Sequence, residues 1–355
     1  MKIILFSDLH ANPFREFANP ASFPGLINSR LEMSVFAIDK ILDYARSNKI
    51  KHVLFGGDLF HKRNVLQTSL YNVVWQRISK FKEHGIHLVM VPGNHDQTTS
   101  DGKVHSLEPM QEIATVAMKA CTVDLGGSVL VRCIPYTSDP SQASKDMAIP
   151  RSDCSRFLLL AHLAFQGAVT GTMEFKPKEE LEAEDIPKGY DSCFFGHYHK
   201  RQRIKPHAWY IGSPLQQSRG EAAELDKGFL VYDSVTNEFK NVPLGMPTFK
   251  YLTLKDLSDG LTQDLVSNSY VDYEVDKKMD SKSWGKKLLN LGALAVNPVQ
   301  ISRRSEDYRK GIRVKVDPSL DYRTMVKKYI AEYAPESMDA ERLANTACGF
   351  LEGEE

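Results

Sequence analysis

The sequence predicts an α/β fold: a parallel sheet with helical crossovers, then a second sheet, then a smaller α+β segment. Two observations carry this. Over residues 2–91, apolar runs of strand length alternate with segments of helical period, the pattern of parallel strands joined by crossover helices. Beyond them come short apolar runs separated by turn-forming residues, which read as further strands.

The elements follow in order. Residues 2–7 form the first strand, and the run Met1–Phe6 ends at Ser7-Asp8. It is too short for a signal sequence or a membrane span and reads as a buried strand. From Leu31 to roughly Asn48, Val35, Ile38, Ile41, Leu42 and Ala45 recur at helical spacing. Val53-Leu54-Phe55 is the next strand, Leu70 to Phe81 the next helix, and His87 to Val91 the third strand. The runs Val129–Ile134, Phe157–Ala161, Ser192–Phe195, Trp209–Ile211 and Phe229–Tyr232 read as strands of the second sheet. Pro243 and Pro247 bracket a Gly-containing turn that marks a boundary, giving segments 1–246, 247–330 and 331–355. The stretch from Asp321 to the end contains two short amphipathic helical patterns. Met325, Val326, Tyr329, Ile330 and Tyr333 form one apolar stripe, and Leu343, Ala347, Phe350 and Leu351 another.

Composition narrows the function. Hydrophobic residues at 42% and charged residues at 25% supply an ordinary soluble core. Lys plus Arg equals Asp plus Glu at 45 each, so a polyanionic partner would need basic residues gathered on one face. Residues 248–330 hold such an excess, 16 Lys and Arg against 11 Asp and Glu. The five cysteines, Cys121, Cys133, Cys154, Cys193 and Cys348, contain no Cys-x-x-Cys pair. Their odd number and spacing argue against a disulfide framework or a zinc knuckle and favour a reducing, cytoplasmic setting.

Five clusters carry chemistry, each directly after an apolar run: Asp8-Leu9-His10, Gly57-Asp58, Gly93-Asn94-His95-Asp96, His162, and Gly196-His197-Tyr198-His199. Strand ends are where open α/β sheets gather ligand sites. Each cluster has an ordinary reading alone: Asp-x-His is a common chance pair, His-x-His can be two solvated side chains, and Gly-Asn-His-Asp suits a turn. Their joint occurrence favours a metal centre. Mixed oxygen and imidazole donors without thiolate suit manganese, iron, zinc or nickel, and the donors are numerous enough for two ions.

The order of these clusters resembles the calcineurin-like metallophosphoesterases. Gly57-Asp58-Leu59-Phe60-His61, Val91-Pro92-Gly93-Asn94-His95-Asp96, Tyr210-Ile211-Gly212-Ser213-Pro214 and Asp226-Lys227-Gly228-Phe229 look more narrowly like the SbcD-type DNA repair nucleases. The resemblance covers residues 1 to about 235. It implies a four-layer α/β/β/α metallophosphoesterase sandwich over 1–246, a small α+β capping and DNA-binding domain over 247–330, and a C-terminal helical tail over 331–355. It implies two divalent ions, Mn²⁺ above all: one held by Asp8, His10, Asp58 and His199, the other by Asp58, Asn94, His162 and His197, with Asp58 bridging. His95 would be unligated and face the scissile phosphate, and His61 would seat the DNA backbone. Asn12 and Pro13 replace the small Gly-containing turn usual in such proteins. The implied activity is DNA exonuclease and endonuclease cleavage in DNA repair and recombination. The implied partners are an SbcC-type SMC-like ATPase and a second copy of the chain, paired through residues 66–84. DNA-contact candidates are Lys277, Lys278, Lys286, Lys287, Arg303, Arg304, Arg309 and Lys310.

Three other functions fit the sequence less well. A protein phosphatase would carry Asp-Arg-Gly where this chain has His61-Lys62-Arg63-Asn64. A cyclic-nucleotide phosphodiesterase has less use for a basic segment after Pro247. A scaffold without catalysis would not keep every donor. His52, His84, His87, His105 and His207 lie outside the clusters, and Trp209 is expected in the core.

Overall fold

Strand β1 (Lys2–Phe6) is apolar from Ile3 onward because both faces of that stretch are covered. Ile4 and Phe6 pack on one side with helix residues, while Ile3 and Leu5 pack on the other with residues of a second sheet. The computed structural model describes residues 1–23, 25–99, 102, 104–169, 181–301, 326–327, 330 and 339–352. They fall in two compact units, Met1–Val299 and Gln300–Glu355.

In the first unit, α1 (Ser29–Ser47) starts at Asn28, whose side chain accepts the Leu31 N–H at 3.0 Å, and buries Leu31, Val35, Ile38, Ile41, Leu42 and Ala45. β2 (His52–Phe55), α2 (Thr68–Glu83), β3 (His87–Met90) and the short β4 (Thr115–Val116) continue the crossover pattern. β1 to β4 are parallel neighbours. β5 (Cys121–Asp124) and β6 (Val129–Ile134) form an antiparallel pair, followed by α3 (Pro140–Met147), β7 (Arg156–His162), β8 (Ser192–Gly196), β9 (Gln202–Lys205) and β10 (Ala208–Tyr210). Then come β11 (Gly228–Asp233) and β12 (Glu238–Pro243). The first sheet runs β12-β11-β1-β2-β3-β4 and the second β5-β6-β7-β8-β10-β9.

Three apolar clusters give four layers. α1 and α2 cover the outer face of the first sheet, the inner faces meet through Leu54, Val89, Val131, Leu160 and Phe194, and Ala143 and Met147 of α3 cover the second sheet. This is the α/β/β/α sandwich expected from the sequence. One assignment is corrected. The run Phe229–Tyr232 belongs to the first sheet, where β11 lies antiparallel to β1 and hairpins into β12. β2 occupies only one side of β1, and β11 covers the other edge.

A three-stranded sheet follows, ordered β13 (Thr248–Leu252), β14 (Ser269–Val275), β15 (Ala295–Gln300). α4 (Leu254–Ser258) and α5 (Gln263–Val266) lie between β13 and β14, and α6 (Ser281–Asn290) precedes β15. Their core contains Leu252, Leu257, Val266, Val271, Tyr273 and Leu288. This sheet is tied to the sandwich by Arg30, which is 4% exposed. Its guanidinium lies 5.3, 5.0 and 4.8 Å from the ring centroids of Phe14, Phe249 and Tyr270, and donates to the carbonyls of Glu16 and Gln217. Phe17 stacks on Tyr270, and Arg219 joins Glu16 to Asp272.

In the second unit, α7 (Ala340–Glu352) begins after Asp339, which accepts the N–H groups of Glu341 and Arg342 at 3.1 Å each. Val326 and Ile330 are helical, while Met325, Tyr329 and Tyr333 of the expected stripe lie outside the described residues. Among the described residues no helix is long and apolar enough to cross a membrane.

Candidate metal centre

The strand ends bring the five clusters together. Asp8 follows β1, Asp58 follows β2, Asn94 and His95 follow β3, His162 ends β7, and His197 and His199 follow β8. Asp8, His10, Asp58 and His197 all have positive φ, at 55, 47, 59 and 98°. Such conformations are costly for non-glycine residues and persist where the surroundings over-determine them.

Asp96 supplies much of that constraint. Its carboxylate accepts the N–H groups of Asp58, Gly93 and Leu59 at 2.8, 2.9 and 3.0 Å, and that of Phe60 at 3.4 Å. Burial and the neighbouring Asp58 charge push the Asp96 carboxyl up to about 7, against these donors. Glycine is required where the loops touch. A Cβ on Gly57 would lie 2.4 Å from His162 Nδ1, and one on Gly196 2.1 Å from the Gly56 carbonyl.

The donors form two adjoining groups. Asp8, His10 and His199 offer ligand atoms within 4.8 Å of one another, and so do Asp8, Asp58 and His162. Asp58 Oδ2 stands 3.5 Å from both His10 Nε2 and His162 Nε2. Asn94 Oδ1 lies 3.0 Å from His162 Nε2 and 2.9 Å from His197 Nδ1. All seven residues named as ligands from the sequence therefore meet, with Asp58 between the two groups.

The arrangement fits cations. The nitrogens His10 Nε2 and His199 Nε2 face each other at 2.9 Å, where only one can carry a proton. Asp8 Oδ2 and His10 Nδ1 are buried with no hydrogen-bond partner among the described residues. Burial lowers the His10 pKa, and burial with the His162 charge lowers that of His197 to about 3, so both rings are neutral donors at neutral pH. Burial alone would raise Asp58, but the His162 charge outweighs it and holds the carboxyl well below its ordinary range. Burial opposes charge on His162, yet Asp58 carries it up to about 9.

His95 and His61 stand beside this cluster. Their rings stack with centroids 5.5 Å apart, and His10 meets both edge-on. His95 Nδ1 lies 2.6 Å from the His61 carbonyl, and the His95 N–H donates to Asp58 Oδ1 at 2.7 Å. These three histidines form a further group of close donor atoms. Tyr136 stacks against His197 at 6.0 Å.

Lys277 and Lys278 are exposed in the turn after β14, and Lys286 and Lys287 are exposed on α6. Arg303, Arg304, Arg309 and Lys310 lie outside the described residues. Cys121, Cys133, Cys154 and Cys193 are free, and burial pushes the thiols of Cys133 and Cys193 up, away from the thiolate form.

Sequence reading missed several residues that shape the centre. Asp96 and Lys227 lie within motifs of the sequence, but nothing local gives them a role. Glu221, which touches His199 Nδ1 at 2.9 Å, and Gln217, which donates to the carbonyls of Asp8 and Leu9, had no local signal.

Oxygen and imidazole donors converging at the strand ends of an α/β/β/α sandwich define a metal-dependent phosphoesterase. A sequence model of the calcineurin-like phosphoesterase family matches residues 1–201, and the chain belongs to that family. Its members hydrolyse phosphoester bonds with two divalent ions. The chain is also similar to two curated proteins named DNA double-strand break repair protein Mre11. The one from Sulfolobus acidocaldarius is 21% identical over 172 residues, 46% of this chain and 43% of that protein. The one from Methanopyrus kandleri is 23% identical over 233 residues, 58% of this chain and 50% of that protein. The chain thus aligns with about half the length of these relatives. Among solved structures, a dimetal phosphatase from Danio rerio matches with a TM-score of 0.40 at 8% identity, covering 65% of this chain and 91% of its own.

Proposed function

We propose that this chain is a two-metal DNA phosphodiesterase of the SbcD type, dependent on Mn²⁺ and acting as an exonuclease and endonuclease on DNA ends. The observation that carries the two-metal reading is Asp58 Oδ2, equally distant at 3.5 Å from a histidine of each donor group. DNA as substrate is supported by the two relatives named for double-strand break repair and by the absence of Asp-Arg-Gly after His61. The exposed Lys277, Lys278, Lys286 and Lys287 are available for phosphate contact.

Asp8, His10, Asp58 and His199 would hold one ion, and Asp58, Asn94, His162 and His197 the other. Two ions at such a centre acidify water and offset charge on the phosphoryl oxygens. His95 acts on the leaving group. Its Nδ1–H is donated to the His61 carbonyl, which fixes the ring and leaves Nε2 to serve the departing oxygen. His61, stacked on His95, seats the DNA backbone so that the phosphate is presented to that nitrogen. Asp96 keeps Asp58 in place through the backbone of its loop.

In this reading residues 1–246 are the nuclease domain, 247–330 a capping and DNA-binding domain, and 331–355 a tail that docks an SMC-like ATPase. A homodimer forms through residues 66–84, and the complex works in the cytoplasm. The deciding experiment combines purified protein, Mn²⁺ and end-labelled duplex DNA, with p-nitrophenyl phosphodiester and monoester as comparison substrates. Shortened DNA and diester turnover are expected. Monoester turnover with intact DNA would instead mark a phosphatase on the same frame.

A further inference from the structure

Residues 213–227 lie beyond the segment matched to the family, 1–201, yet they wrap His199. Glu221, in a 3-10 turn and 6% exposed, points one oxygen at His199 Nδ1 at 2.9 Å and the other at Lys227 Nζ at 2.7 Å. Lys227 is itself 8% exposed. Its ammonium donates to the His199 carbonyl at 2.8 Å and to Ser213 Oγ at 2.7 Å, and pairs with Glu224 at 2.7 Å. The Gln217 N–H donates to the same Glu221 oxygen at 3.2 Å. One carboxylate therefore holds the ring of His199, while the lysine paired with it holds the backbone of the same residue. Two motifs noted in the sequence, Gly212-Ser213-Pro214 and Asp226-Lys227-Gly228, meet at this point.

We propose that Glu221 is a positioning residue for His199, fixing the ring with Nδ1 protonated so that the Nε2 lone pair faces Asp8 and His10. A histidine ligand needs its second nitrogen occupied by an acceptor to choose its tautomer and keep its orientation, and a carboxylate also makes the ring a stronger donor. Glu221 meets both needs. Lys227 neutralises the carboxylate, so the charge can be buried, and it prevents Glu221 from turning away. His199 thereby differs from His10, whose Nδ1 has no partner among the described residues.

The inference rests on the reading of His199 as a ligand, and the test separates the two. Mn²⁺ alone is titrated calorimetrically into metal-free wild type and into Glu221→Gln, Glu221→Leu and His199→Ala, with melting temperature and circular dichroism as checks on folding. Lys227 keeps Glu224 and Ser213 as partners when Glu221 is replaced, so the variants are expected to fold. Glu221→Gln keeps an acceptor and loses the charge; Glu221→Leu loses both. Affinity at one of two sites should fall about 10–100-fold, more for Leu than for Gln. Excess Mn²⁺ should restore p-nitrophenyl phosphodiester turnover by Glu221→Gln, a recovery that a misfolded site would not give. A folded Glu221→Leu that binds both ions with wild-type affinity, while His199→Ala loses one, overturns the proposal. A His199→Ala that binds both ions normally removes the ligand reading itself.

Discussion

Replacing Gly93 by alanine isolates the geometry of the centre from its chemistry, because no ligand is removed. The new Cβ would stand 2.2 Å from Asp58 Oδ1, 2.5 Å from the Asp58 backbone nitrogen and 2.7 Å from His162 Cε1, where ordinary contact begins at 3.4 Å. The Asp58 carboxylate must therefore retreat by about an ångström, a displacement that can cost on the order of 10²-fold in rate. The backbone nitrogen has little room to follow, since it is held by Asp96 at 2.8 Å. Overpacking of this kind costs about 1–3 kcal/mol, against a typical total stability of about 5–15 kcal/mol. The variant should fold, lose affinity for Mn²⁺, and lose roughly a hundredfold in kcat/KM on a phosphodiester. Gly189→Ala is the control, because nothing lies within 4 Å of a Cβ there. Calorimetry, steady-state kinetics and thermal melting of the two variants provide the readout. A Gly93→Ala protein with wild-type metal affinity and turnover would refute the claim that this contact sets Asp58.

Asp58→Asn should release at least one ion, measured as metal content after dialysis, because its carboxylate faces both donor groups; an active variant retaining two ions would remove the bridge. His95→Ser should lower turnover by about 10²–10⁴ while both ions stay; loss of an ion would make His95 a ligand. Protonated His162 competes with metal, and its pKa is pushed up to about 9, so Mn²⁺ affinity should rise with pH from neutrality until about 9 and then level off. A flat profile between those limits in calorimetry at several pH values would show that His162 is already neutral. Deleting residues 336–355 should leave nuclease activity and melting temperature unchanged and abolish co-purification with the ATPase; a large fall in melting temperature with the partner still bound would place the tail in the fold.

The sequence revealed the centre more fully than the topology. Asp8, Asp58, Asn94, His162 and His197 each follow an apolar run, and a strand buried on both faces ends abruptly where the first polar group must reach a ligand or solvent. That signal is local, so it survives in a single sequence. The place of Phe229–Tyr232 was not legible, because an apolar strand fits either of two facing sheets and nothing in its own residues names its neighbour. β5 and β12 were missed for a related reason: Cys121–Asp124 and Glu238–Pro243 contain only half-buried and exposed positions, so no apolar run stands out. Glu221 was invisible because a glutamate in a loop looks the same whether it is solvated or backing a histidine. Its role comes from a fold that returns the chain to His199 after twenty-two residues.

Arg30 bears on how this molecule can be made and divided. It is an early residue, yet two of the three rings that shelter it come from Phe249 and Tyr270, and Gln217, whose carbonyl it binds, also secures the carbonyls of Asp8 and Leu9. As the polypeptide leaves the ribosome, the loop that carries Asp8 and His10 must wait for more than two hundred further residues before its support is complete. A fragment stopped at residue 246 would expose Phe17, which packs on Phe249 and Tyr270, and leave Arg30 with one of its three rings, where a desolvated cation–aromatic contact is worth about 2 kcal/mol. The sandwich is a separate architecture and a dependent folding unit, so a minimal enzyme cut at its visible edge should be made insoluble or inactive by an arginine far from the cut in sequence.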